Sequence, residues 1–253
     1  LIMAAAYDTY DYPLYWEGRQ YEHASEVIAI KAFLAKINDI GTVLEIGAGY
    51  GRLAGTYIYR ARKVILSDPS AKLLKIAREA YKDQKNVRYI QSGMDNLAKR
   101  IRRNSIDLVI MVRVIHHLGD PGEVIGQVSR LLKNNGYFIL EFANKAHFKA
   151  NIREFFKGNI TFPLDIFPKE IRGRRTRKNT LPFLNYHPDI IKNKLEENGF
   201  EIIEKRSVSN IRSTFLKKHI GTETLITISR FLQIPLSYIN FGPSIFILAR
   251  KRS

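Results

Sequence analysis

The chain has no cysteine among its 253 residues. Disulfides, thiolate nucleophiles, Cys-ligated zinc and iron–sulfur clusters are therefore excluded, and an intracellular, cytoplasmic location is the expectation. No apolar run approaches the roughly 20 residues that span a bilayer. The opening "LIMAAAYDTYDY" lacks a basic n-region and turns acidic at once, so no secretory signal is read there. There is no internal repeat, and no metal site is read from the residues.

Positive charge is plentiful. Lys and Arg number 41 against 24 Asp and Glu, for a net charge of +17. The excess is uneven: residues 1–40 hold six acids and three bases, whereas residues 144–186 hold ten bases and three acids. A basic chain favours anionic partners such as nucleic acid, acidic lipid or phosphorylated metabolites. The alternative is that the charge serves solubility alone.

Strand and helix patterns alternate. "GTVLEIGAG", "KVILSD", "VRYIQSG", "IDLVIMVRV" and "GYFILEFA" read as short strands apolar on both faces, as in a parallel sheet covered by helices. Helices are predicted over residues 23–37, 50–61, 69–84 and 120–135. After residue 143 the pattern breaks into a basic, Phe- and Pro-rich stretch, then resumes with the helix "HPDIIKNKLEENG" and the strands "FEIIEKRSVSN" and "SIFILARKR". This is a doubly wound α/β domain.

Within it, "VLEIGAGYGRLAG" places Gly47, Gly49 and Gly51 directly after the first strand, with Glu45 just ahead of them. A dinucleotide turn reads G-x-G-x-x-G and seats pyrophosphate on the helix N-terminus. Here Arg52 stands where the third glycine should be, and Glu45 would face phosphate charge, which is costly in a partly dry site. A ligand with an ammonium and a sulfonium and no phosphate removes the conflict, and S-adenosylmethionine is such a ligand. A second acid, Asp68, ends the second strand at the place and spacing of a carboxylate that accepts from ribose hydroxyls.

These stretches, with "VILSDPS", "IQSGMDNLA", "IDLVIMVRVIHHLGDP" and "VSRLLKNNGYFILEF", run in order over residues 41–143 and resemble the class I S-adenosylmethionine-dependent methyltransferases, in particular the methyltransferase type 11 or ubiquinone/menaquinone-biosynthesis-like group. The resemblance implies a Rossmann-like seven-stranded sheet with an antiparallel last strand. It implies S-adenosyl-L-methionine as cofactor, and S-adenosyl-L-homocysteine as product. It also implies that Glu45, Gly47, Ala48, Gly49 and Gly51 hold the methionine end, Asp68 with Pro69 the ribose, and Met94 and Asp95 the adenine. Val112 and Arg113 complete the cofactor set. Many relatives carry an Asp where this chain has Gly93, which leaves Asp95 or backbone groups to meet the adenine amine.

Methyl transfer from a sulfonium is largely a matter of positioning, though a hydroxyl or ammonium acceptor also calls for a general base. His116 and His117 follow the fourth strand and are the catalytic candidates; each also has a plain structural reading, as a turn cap or as packing. Tyr7, Tyr12, Tyr15 and Trp16, with Arg19 and Tyr21, read as a lid over the cofactor or as packing on the sheet edge. Phe148, Ile152, Phe155 and Phe156 share one helical face and Lys149, Arg153 and Lys157 another, which reads either as a basic amphipathic lid or membrane-surface helix, or as a helix packing its Phe residues on the core. "RGRRTRK" at residues 172–178 suits phosphate or nucleic-acid backbone, or is a solvated loop.

The expected organisation is an N-terminal aromatic lid and helix (1–40), a cofactor-binding core (41–143), a basic insertion capping the acceptor site (144–186) and completion of the fold (187–253). The expected function is methyl transfer to O or N of a small-molecule, lipid or glycan acceptor, with peripheral membrane contact allowed. RNA methylation without a Cys nucleophile and non-catalytic cofactor binding are the alternatives. The strand-4 end "VRVIHH" lacks the Asn/Asp-Pro-Pro-aromatic signature of exocyclic base-amine methylation, and no RNA-binding module is appended.

Overall fold

A computed structural model describes residues 12–170 and 183–253. Tyr7 and the basic run at residues 172–178 lie outside them. The centre is a seven-stranded sheet. Its strands are β1 (Ile40–Ile46), β2 (Ala61–Asp68), β3 (Val87–Gln91), β4 (Ile106–Met111), β5 (Leu132–Ala143), β8 (Phe200–Val208) and β9 (Ser244–Lys251). They stand in the order β3-β2-β1-β4-β5-β9-β8. Only β9 runs against its neighbours, pairing antiparallel with both β5 and β8, as expected for the last strand. A two-stranded ribbon of β6 (Lys169–Glu170) and β7 (Leu184–Asn185) stands apart.

Alternation along the strands builds two cores. On β1, Leu44 and Ile46 enter the core shared with α5 (Pro121–Leu131) and α7 (Pro188–Glu197). Val43 enters the opposite core with Ile30 and Phe33 of α2 (Gln20–Leu34). Local signals start the flanking helices where the sequence placed them. Ser70 caps α3 (Ala71–Ala80) by accepting from the Leu73 N–H, and Asp120 caps α5 ahead of Pro121.

Three expectations are corrected. Of residues 50–61, expected as a helix, 50–60 form turns and a single 3₁₀ turn, Ala54–Thr56, and Ala61 opens β2. Gly51 at φ +77° and Gly55, followed by the β-branched and aromatic run Thr56–Tyr59, disfavour continuous helix, and the Thr56 hydroxyl donates back to the Leu53 carbonyl. The helix expected to reach residue 135 stops at Leu131, because two asparagines and a glycine follow and Asn135 takes φ +61°. The Phe face after residue 147 does not pack on the core: in α6 (Phe148–Phe155) the buried residues are Ala150 and Glu154, and the Phe side chains are exposed. The pattern also left unread a short helix α4 (Met94–Arg100), while the irregular-to-helical stretch read between the last two strands forms α8 (Thr214–His219) and α9 (Thr222–Tyr238). Among the described residues no helix is long and apolar enough to cross a membrane.

Candidate active site

Strand order reverses between β1 and β4, and in an open α/β sheet the ligand crevice lies at the carboxyl ends of the strands at that switch. A cleft opens there. Its floor is the turn after β1, lined by Ile46, Gly47 and Gly49. Asp68 and Pro69 after β2, Ser92 to Met94 after β3, and Val112 to Val114 after β4 form the walls, with His117 and Leu118 beyond.

The three glycines take φ values of +71°, +55° and +77°, a left-handed conformation that costs non-glycine residues energy. At Gly47 a Cβ would also lie 2.2 Å from Val114 Cγ2. The turn is tied down by backbone and by Asp68. Gly47 and Ala48 both donate to the Ser67 carbonyl. One Asp68 carboxylate oxygen accepts from the Gly49 N–H and the other from the Ser70 N–H, each at 2.8 Å. This buried acid holds the turn against α3 and lines the cleft.

Glu45 lies behind the turn. Strand alternation directs it to the Val43 face, away from Ile46, where it is buried and accepts from the Tyr57 hydroxyl. Burial pushes its carboxyl up from 4.5 to about 7; the Tyr57 bond and Arg52 oppose that rise, and Asp68 adds to it. The folded-state value exceeds the unfolded one, so this stabilising contribution is present at acid pH and is lost as pH rises through about 7. Glu45→Gln, neutral at every pH, is expected to gain thermal stability relative to wild type between pH 5 and pH 7.5, at roughly 2–4 °C per kcal/mol. Parallel melting curves across that range would refute this placement.

Arg113 reaches the cleft by its backbone, at φ +61°, while its N–H donates to Glu141. Its guanidinium turns to α2, where Nε and Nη2 both bond Glu26 Oε1 at 2.8 and 2.6 Å. Arg52 bonds the other Glu26 oxygen at 2.5 Å. Both guanidiniums lie over the Trp16 ring, at 3.5 Å for Arg52 and 4.7 Å for Arg113. Burial works to raise the Glu26 carboxyl, but the two arginines pull it below the ordinary carboxylate value. Glu26 had not been singled out in the sequence. The signal was present, because it stands three, four and seven residues before Ala29, Ile30 and Phe33 on the buried face of α2.

The aromatic segment divides. Tyr12, in α1 (Tyr12–Tyr15), lines the cleft and stacks on Tyr15 with ring centroids 5.9 Å apart. Trp16 packs edge-on to Tyr15, and Arg19 covers the Tyr15 ring. Tyr21 is not part of this group: it is buried in α2 and its hydroxyl accepts from the Ile211 N–H. Asp95 is exposed in the first turn of α4 and does not line the cleft; Ser92 and Gly93 do, because the helix starts only at Met94. The histidines also separate. His116 is buried against Phe183 with centroids 4.2 Å apart, and burial, then His117 and Arg113, hold it well below its ordinary pKa. His117 lines the cleft.

The walls suit S-adenosylmethionine in chemistry. Ile46, Leu73, Met94, Val112 and Leu118 give apolar surface, a buried carboxylate stands at one side, and the left-handed turn brings backbone to the floor. Fold and cleft define an S-adenosylmethionine-dependent methyltransferase. Residues 44–140 match the family described as Methyltransferase domain, which agrees with that class. It is 28% identical over 216 residues to tRNA 5-carboxymethoxyuridine methyltransferase of Escherichia coli (strain K12), covering 83% of this chain and 79% of that protein. It is 30% identical over 105 residues to ubiquinone biosynthesis O-methyltransferase of Serratia proteamaculans, covering 41% and 43%. In fold it is similar to 1,6-didemethyltoxoflavin-N1-methyltransferase of Burkholderia thailandensis, with a TM-score of 0.64 and 12% identity over 100% of this chain and 88% of that one.

Proposed function

We propose that the chain transfers a methyl group to an oxygen or nitrogen of a small-molecule, lipid or glycan acceptor, with His117 as the proton acceptor. The observation that carries this reading is the split of the histidine pair, His117 on the cleft wall and His116 buried beneath Phe183. S-adenosylmethionine supplies an activated methyl on sulfur. Asp68 would take the ribose hydroxyls, and Pro69, Met94 and Val112 would pack the adenine with the backbone of Ser92 and Gly93 in place of an acid. The turn from Gly47 through Ala48 to Gly51 would hold the methionine end, with Glu45 and Tyr57 supporting it from behind. Residues 1–40 would close the cofactor side through Tyr12, Tyr15 and Trp16. Residues 144–186 would cap the acceptor side of the 41–143 core, and 187–253 would complete the fold.

The test is transfer of label from methyl-tritiated S-adenosylmethionine to pooled lipid, glycan, small-metabolite and tRNA fractions. Label is expected in one of the first three, with His117→Ala reducing transfer about tenfold or more at unchanged S-adenosylhomocysteine affinity. The likeness to a tRNA methyltransferase across 83% of the chain, together with the +17 charge, supports a second reading, RNA methylation. Label in the tRNA fraction alone would replace the first reading by the second.

A further inference from the structure

Helix α9 buries polar residues and exposes apolar ones. Its inward stripe is Leu225, Ser229, Gln233 and Ser237, at spacing four. Ser229 meets the Ser25 hydroxyl, and Gln233 donates to the Ser25 carbonyl and accepts from Arg206. Outward it presents Ile228, Phe231, Ile234 and Tyr238, with Phe231 73% and Tyr238 78% exposed. A helix that covers a core has the opposite polarity.

Helix α6 adjoins it. Phe148 stacks on Phe241, just past the end of α9, with centroids 4.9 Å apart, and its N–H donates to the Phe241 carbonyl. From there the exposed apolar surface continues through Ile152 to Phe155 and Phe156, which are 61% and 83% exposed. Helix α8 adds Phe215 and Leu216. So much exposed aromatic and aliphatic surface is unusual on a protein without a partner at that face.

The charge around this surface identifies the partner. Lys149, Arg153, Lys157, Arg212 and Lys218 are exposed on the same elements or the turns beside them. The acid of α6, Glu154, is buried and shared among Arg153, Lys157 and Lys169. Glu22 pairs with Lys217 of α8. Burial, then Arg212, Arg153 and Lys149, hold His147 down to about 4, which places those three cations around the start of α6. Apolar side chains framed by cations would repel a second copy of this chain, and they complement a surface that is anionic outside and hydrocarbon beneath.

We propose that α6, α8 and α9 form an interfacial face that seats the protein on an anionic lipid bilayer. Phe155, Phe156, Phe231 and Tyr238 enter the headgroup–acyl boundary, and the lysines and arginines lie at the lipid phosphates. This rests on neither the cofactor assignment nor the acceptor, since it concerns only how the protein docks.

Vesicle flotation of the full chain tests it, with vesicles of phosphatidylcholine alone or mixed with phosphatidylglycerol. Binding to the mixed vesicles is expected to be at least about tenfold stronger and to weaken with salt, since the Lys and Arg side chains are attracted to the acidic headgroups. The double change Phe155→Ser and Phe156→Ser, and separately Phe231→Ser, should each reduce that binding at an unchanged melting temperature, because these side chains are exposed. Lys149→Glu with Arg153→Glu should do the same, leaving the Phe face intact. Absent binding, equal binding to both vesicle types, or binding unchanged in all three variants overturns the proposal. So does length-dependent binding of single-stranded RNA oligonucleotides without vesicle binding, which would assign the cations to nucleic acid. Self-association that the Phe variants abolish, again without vesicle binding, would assign the face to a second copy.

Discussion

Glu26→Ala is expected to lower the unfolding free energy by about 3–5 kcal/mol, the usual cost of removing one partner from a buried ion pair. The carboxylate has no exposed side-chain surface, and its two oxygens divide between Arg113 and Arg52. Removing it leaves two guanidiniums close to Trp16 without the carboxylate they share. Denaturant titration measures the loss, and a loss under about 1 kcal/mol would mean that both arginines find other partners. The pH dependence has a definite sign. Because the folded-state carboxyl lies below its unfolded value, the stabilisation is present above the ordinary carboxylate range and is lost as pH falls through the folded value. Wild type should therefore converge on Glu26→Ala in stability on acidification. The variant should also bind S-adenosylhomocysteine more weakly, since Arg113 carries its backbone into the cleft wall.

Asp68→Ala is expected to weaken S-adenosylhomocysteine binding by about 3 kcal/mol, near a hundredfold in Kd. One part would be the loss of the charge-assisted bonds to ribose that the proposed role gives Asp68. The other is structural, because the same carboxylate accepts from Gly49 and Ser70 and so joins the glycine turn to α3. Asp68→Asn separates the two parts. An amide oxygen keeps one backbone acceptor without the charge, so it should preserve the melting temperature better than it preserves affinity. Calorimetric affinity within threefold of wild type for a folded Asp68→Ala protein would remove Asp68 from the cofactor site.

The readable parts were those set by short-range rules. Three glycines after an apolar run, with an acid at the end of the next strand, led to the turn and to Asp68, because turn geometry and strand ends depend on a few adjacent residues. The whole order of strands through β5 followed from apolar runs at regular spacing. Glu45 shows where such reading stops. Its place in the motif is visible, but its partner Tyr57 lies in a segment read as helix and found as turns. The contact of Arg113 with Glu26, 87 residues apart in the chain, follows from packing that no local pattern encodes. Asp95 lies exposed in the first turn of α4, a short helix that the apolar pattern did not show. The exposed Phe residues of α6 follow the same lesson, since periodicity identifies a shared face but not what that face meets.

The place of β9 has a consequence for how the chain acquires its shape. It is the last strand in sequence order, yet it is interior to the sheet, between β5 and β8. Until residues 244–251 arrive, β5 offers a long unpaired edge and β8 has no strand to join, so the half-built sheet is a template for the edge of another chain. Assembly of this side waits on a pairing between segments about a hundred residues apart, which makes it the slow, aggregation-exposed step of folding. A chain cut ahead of residue 244 would retain the whole glycine turn and Asp68 and still be expected to accumulate as insoluble material.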